Sequence, residues 1–186
     1  FKYRYVGNRL LIEPGVRVQY YGSLSELRIE PRIGLKYNVT DQFRLKASGG
    51  LYSQNLIAAN SDRDVVNLFY GFLSGPVDLP TEFRGKPVDT QVQKAVHGVA
   101  GFEYSIGKNF ELNVEGYVKD FGQITNVNRN QLYPDIPQYA DKPEILRKNF
   151  IVEQGLAYGL DFLFTYNVKR YSIWATYSWA KVTRDD

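Results

Sequence analysis

The residues of this chain most able to do chemistry are its paired carboxylates and its one imidazole. Asp62 and Asp64 sit two apart, and Glu111 and Glu115 sit four apart. Two carboxylates can serve as a glycosidase acid and base only in a cleft that raises the pKa of one of them, and no such cleft is signalled around either pair. His97 is the only histidine and cysteine is absent, so no thiolate metal site, disulfide framework or histidine cluster can form. No Ser-His-Asp arrangement, phosphate-binding loop or dinucleotide fingerprint occurs. The expectation is a protein that is not an enzyme and carries neither cofactor nor metal.

The remaining charges fall into two stripes. Lys36 and Arg44 flank one tight turn, and Glu103 and Glu111 flank the next. Like charges facing each other across a strand pair are destabilising unless countered. A basic pair beside an acidic pair on the neighbouring hairpin would neutralise both. Arg28, Arg32 and Lys46 extend the basic stripe and Glu115 the acidic one, with His97 on the same predicted face. Two readings stay open, wall ion pairs in a solvated lumen or contacts to a domain docked inside it. The loop sequence Val65-Val66-Asn67-Leu68-Phe69-Tyr70-Gly71-Phe72-Leu73 is greasy and aromatic, which suits either loop packing or ligand contact. Phe69, Tyr70, Arg84, Arg129 and Tyr133 are the candidate ligand contacts. The stretch Lys142–Lys148, with Pro143 at its first turn, predicts a short helix.

The elements that must hold these groups are strands. In Leu27–Val39 the odd positions are Leu27, Ile29, Pro31, Ile33, Leu35, Tyr37 and Val39, and the even ones are Arg28, Glu30, Arg32, Gly34, Lys36 and Asn38. A strict period of two marks a pleated strand with one apolar and one polar face. The same pattern predicts strands at Phe1–Tyr5, Leu11–Tyr21, Phe43–Leu51, Val96–Ile106, Phe110–Val118, Leu156–Val168 and Tyr171–Trp179. No apolar-face position in the seven full strands is charged. The tight connections are Asn38–Gln42, Ile106–Asn109 and Val168–Arg170, and the two long ones span about 52–95 and 119–155. The apolar-face residues beside the tight turns are Tyr37, Phe43, Tyr104, Phe110, Tyr166 and Tyr171, all aromatic. Short turns at one end, long loops at the other and an aromatic row at one rim describe a transmembrane β-barrel, whose tilted strands need about 9–11 residues.

Composition agrees with that class. No stretch approaches the roughly 18 apolar residues of a membrane helix. Aromatic content is 15%, with 15 Tyr, and a net charge of +3 on 23 basic and 20 acidic groups is too balanced for a nucleic-acid partner. The chain starts in mid-alternation at Phe1-Lys2-Tyr3-Arg4-Tyr5 and stops at Arg184-Asp185-Asp186. The expected fold is therefore all-β, a single antiparallel meander of about eight long strands over 1–186, forming an arc of a larger barrel.

The strand pair Ile12-Glu13-Pro14-Gly15-Val16-Arg17 and Glu30-Pro31-Arg32-Ile33-Gly34-Leu35-Lys36-Tyr37 resembles that of TonB-dependent outer-membrane receptors. The segments Leu45–Gln54, Asn113–Tyr117 and Lys119-Asp120 are similar to the same family, in particular to members with a carboxypeptidase-regulatory-like domain and the SusC-like type. The resemblance implies a 22-strand barrel in the bacterial outer membrane, surrounded by its lipid and plugged by an N-terminal domain. It also implies powering by the TonB complex, a surface lipoprotein as a further partner, and import of a nutrient such as a siderophore or glycan. Neither plug nor TonB box is present in this sequence. The alternatives are a small non-transporting outer-membrane barrel for adhesion or anchoring, and a soluble lipocalin-like binder with its apolar face inward.

Overall fold

The computed structural model of the chain describes residues 3–22, 24–55, 78–107 and 109–185. It is all-β, and no α-helix occurs among the described residues. The strands are β1 (Tyr5–Val6), β2 (Leu10–Tyr21), β3 (Glu26–Asn38), β4 (Phe43–Gln54), β5 (Glu82–Phe83), β6 (Lys86–Pro87), β7 (Gln93–Ile106), β8 (Phe110–Val127), β9 (Phe150–Val168) and β10 (Tyr171–Asp185). Eight of them form one antiparallel sheet in the order β1-β2-β3-β4-β7-β8-β9-β10, a plain meander, while β5 and β6 make a separate small hairpin. Among the described residues the outermost strands, β1 and β10, are not paired with each other.

Register carries the apolar face across the sheet without interruption. Leu10 faces Tyr37, Ile12 faces Leu35 and Pro14 faces Ile33 between β2 and β3. Phe43 faces Tyr104 and Leu45 faces Phe102 between β4 and β7. Leu112 faces Phe164 and Val114 faces Phe162 between β8 and β9. A one-residue slip at any pair would put charges on this face, so the alternation itself fixes the pairing.

Burial is inverted relative to a water-soluble sheet. On β3, Leu27 is 58% exposed and Ile29 62%, whereas Glu30 on the opposite face is 2% exposed. Ile33, Leu35, Tyr37, Leu45, Leu51, Val96, Val118, Leu160 and Phe162 are exposed as well. Among the described residues only Tyr21, Val92 and Val152 form buried hydrophobic positions. The charged face, not the apolar one, is where side chains are enclosed.

The strands run further than their alternation predicts. β8 continues to Val127 and β9 begins at Phe150, so the long connections shrink to 55–92 and 128–149. Apolar alternation stops where the apolar face meets Ser53, Lys94, Asp120 and Gln154, but the backbone ladder continues past it. A bulge in β8 between Phe121 and Ile124 adds a residue relative to both neighbouring strands and breaks the period there. At the other end of the chain β1 meets the predicted Phe1–Tyr5 at Tyr5, with the Tyr3 amide donating to the Pro14 carbonyl at 3.0 Å, and Phe1 and Lys2 lie outside the described residues. The predicted short helix at Lys142–Lys148 is one 3₁₀ turn, Glu144–Leu146, preceded by Pro143.

Candidate functional site: a charged inner wall under latched loops

The tight-turn end of the charged face is organised around Glu103. Arg44 lies directly across from it in the β4–β7 register and pairs with it at 2.8 Å. Lys46 reaches it at 3.2 Å, and Lys36 reaches over β4 at 3.4 Å. Lys46 also pairs with Glu115. The bridge passes over Gly101, which stands between Lys46 and Glu115 in register. A Cβ there would collide with the Val114 carbonyl and come within 2.9 Å of the Glu115 Cα, so glycine is what lets the strands and this ion pair close up.

The predicted wall residues thus divide. Lys36, Arg44, Lys46, Glu103 and Glu115 converge on one network. Glu111 does not join it: it lies across from Ser105 and Thr165 and makes no ion pair among the described residues. The two-by-two neutralisation expected from the turn-flanking residues is replaced by three cations shared between Glu103 and Glu115. Arg28 and Arg32 belong to a second cluster nearer the long loops, where Arg28 pairs with Glu26 and Arg32 with Glu30 at 2.7 Å.

The partners that hold this second cluster, Glu26, Glu30, Ser53 and Thr90, were not singled out from the sequence. The Glu30 carboxylate accepts from the Ser53 amide at 2.9 Å and the Ser53 hydroxyl at 2.6 Å, with Arg17 at 3.8 Å. Glu26 accepts from the Thr90 hydroxyl at 2.6 Å, and Gln123 donates to the Thr90 carbonyl at 2.6 Å. This ties the segment entering β7 to both β3 and β8. Beside it the Arg32 guanidinium lies 4.3 Å over the Tyr52 ring, which stacks on His97 at 4.3 Å, and Phe121 meets His97 edge-on at 6.1 Å. The signal for this ladder was the strand parity that puts all four residues on the charged face.

Arg17, Gln19, Tyr52, Gln93, His97, Phe121, Gln123 and Arg184 line a cavity of about 950 Å³ at the long-loop end. Its size suits a small organic ligand, and its aromatic rings, amides and guanidinium groups offer stacking and hydrogen bonding. No group of three or more metal-ligating side chains occurs among the described residues.

The two long loops are joined to each other. Lys148 pairs with Asp78 at 2.9 Å and Asp135 at 2.6 Å, and Arg147 also pairs with Asp135. The Asn149 amide donates to Asp78 at 3.1 Å, and Thr81 donates to Glu144 through its amide and its hydroxyl. Asn128 holds the Ile145 and Lys148 carbonyls through its side-chain amide. The Asp135 carboxyl is held below its usual range chiefly by the Lys148 hydrogen bond, and Lys148 is held above its own chiefly by Asp135, then Asp78.

The candidate ligand contacts do not gather around the cavity. Arg84 sits at the tip of the β5–β6 hairpin, where it and Gly85 take positive φ as a two-residue turn requires. Arg129 is exposed, and Tyr133 packs on Tyr139 at 5.0 Å. None of the three lines the cavity. Phe69, Tyr70, Asp62 and Asp64 lie outside the described residues. Comparison with protein-family models, with curated proteins and with solved structures finds no match for this chain.

Proposed function

We propose that this chain is part of the wall of a TonB-dependent outer-membrane receptor that imports a nutrient ligand such as a siderophore or glycan. The observation that carries the membrane half of this reading is the inverted burial. An apolar face exposed over neighbouring strands costs free energy in water, at roughly 25 cal/mol per Å², and none in hydrocarbon. The apolar rows 43–51, 96–104 and 110–118 are each about nine residues long, close to what a tilted strand needs to cross a bilayer. Aromatic residues at the tight-turn rim fit the headgroup boundary, where a ring is apolar and a hydroxyl is wet. A lipocalin-like binder would enclose this face, and here it is the charged face that is enclosed.

The receptor half rests on the strand motifs and on a cavity of mixed lining at the long-loop end. In this reading the loops and cavity receive ligand, the charge network around Glu103 meets the plug, and TonB supplies the force that moves it. The test is Tyr37→Trp, in a chain whose Trp174 and Trp179 are replaced by Phe, in bilayers containing brominated lipid. Strong quenching at position 37, with little at a tryptophan placed at Lys36, is the expected result. Equal quenching at both positions, or a chain that stays monomeric and folded in water without detergent, would remove the membrane reading.

A further inference from the structure

The wall has a seam. β3 and β4 are hydrogen-bonded in register only from Arg32↔Gly50 to Asn38↔Arg44, although β3 begins at Glu26 and β4 runs to Gln54. Toward the long loops the two strands part, and β4 keeps its ladder with β7 while β3 keeps its ladder with β2. An amide in hydrocarbon must find a partner. At the seam the Glu30 carboxylate supplies it, accepting from the Ser53 amide in place of a β3 carbonyl.

The seam opens into a cavity of about 290 Å³ lined by Ile29, Leu51 and Val96 from the apolar face, and by Arg28, Glu30, Ser53, Lys94 and Asp120. It shares Tyr52, Ser53, Lys94 and Ala95 with the large inner cavity. Lys94 stands two residues beyond Val96, at the level where the apolar face turns polar. Arg28 and Asp89 act on it electrostatically, but it forms no ion pair among the described residues. The lining carries two cations and two carboxylates, but Glu30 is taken up by Ser53 and Arg32 and Arg28 by Glu26, so Lys94 beside an apolar floor is what meets an amphiphile with an anionic head, entered from the bilayer side.

We propose that this seam is a binding site for a phospholipid of net negative charge, with its phosphate at Lys94 and Arg28 and an acyl chain along Ile29, Leu51 and Val96. The inference rests on the membrane reading above. Arg28 alone would be a weaker anchor, since Glu26 already holds it. Asp120 at the far side of the groove disfavours a second negative charge there, so a single phosphate fits better than a polyanion.

The test uses the whole chain reconstituted in phosphatidylcholine nanodiscs doped with phosphatidylglycerol, or with diacylglycerol as the headless control. Native mass spectrometry after release then reads the retained lipid. One retained phosphatidylglycerol is expected, its occupancy falling about tenfold in Lys94→Gln and recovering in Lys94→Arg, as for one charge-assisted contact. Val96→Asp, which charges the floor, should abolish retention, and Lys86→Gln on the β5–β6 hairpin should not change it. Equal retention in wild type and Lys94→Gln, or equal retention of diacylglycerol, overturns the site while leaving insertion intact. Failure of the wild-type chain to enter the nanodisc overturns the membrane reading, and the inference with it.

Discussion

At the scale of single residues the wall is a problem of unequal charges, and Glu103 is where it is solved. Three cations lie within 3.4 Å of its carboxylate, and each of them is at least one-fifth exposed. Partial exposure means that water shares in stabilising the network, so the cost of neutralising Glu103 is moderate. Glu103→Gln is expected to destabilise the folded chain by about 1–2 kcal/mol, because it takes the counter-charge from Arg44 and from Lys36, which faces Lys46 across the β3–β4 pair, and leaves Glu115 to Lys46 alone. Glu111→Gln should stay within about 0.5 kcal/mol, as expected of a site outside the network. Denaturant titration of both variants in the same detergent checks the contrast, and equal effects would mean that the Glu103 network contributes nothing specific. The choice between these two glutamates was not legible in the sequence, where both simply flank a turn. It follows from the β4–β7 register, which sets Arg44 against Glu103, and from Gly101, whose missing side chain lets Lys46 turn to Glu115 rather than leaving the acidic stripe to Glu111.

At the scale of elements, the strands of the meander were readable because each needs only a local period of two. Strand ends were less so. β8 and β9 continue into a region where Asp120 and Gln154 interrupt the apolar face and a bulge shifts parity, so the period fails while the hydrogen bonds persist. The joining of the two long loops was not readable at all, since Asp78 and Lys148 are far apart in sequence and neither sits in a pattern. Their pairing makes a pH prediction. A carboxyl depressed below its ordinary value of 3.8, as at Asp135, gives stability that is complete above 3.8 and is lost as pH falls through its folded-state value. A lysine raised above its ordinary 10.5, as at Lys148, gives stability that is complete below 10.5 and is lost as pH rises through its folded-state value. The latch should therefore hold at constant strength between those limits and release only outside them. Amide exchange protection at Asn149 and Thr81, corrected for intrinsic rates, reads this directly. Protection that drains away between about pH 5 and 8 would show that some other group controls the loops.

At the scale of the whole molecule the question is what the sheet's edges do. All fifteen residues of β10 are exposed, on both faces, and its outer backbone edge has no partner among the described strands. An open edge of this length is a template for another strand, and in a hydrocarbon layer its unpaired amides would each cost several kcal/mol. A wall segment meets this cost by pairing with further strands, and a small self-contained barrel meets it by pairing β10 with β1. Hydrogen exchange along β10 distinguishes them. In the chain alone, in detergent, the amides from Tyr171 to Asp185 that point away from β9 are expected to exchange rapidly, while their alternates, bonded to β9, stay protected. The same preparation should associate through these edges, and Thr176→Pro, which removes a donor and blocks edge pairing, should reduce that association. A monomer in which both sets of β10 amides are protected would show that eight strands close on themselves. The polar cavity and the Glu103 network would then line a complete small barrel, and the case for a plug, and for transport, would fall with the arc.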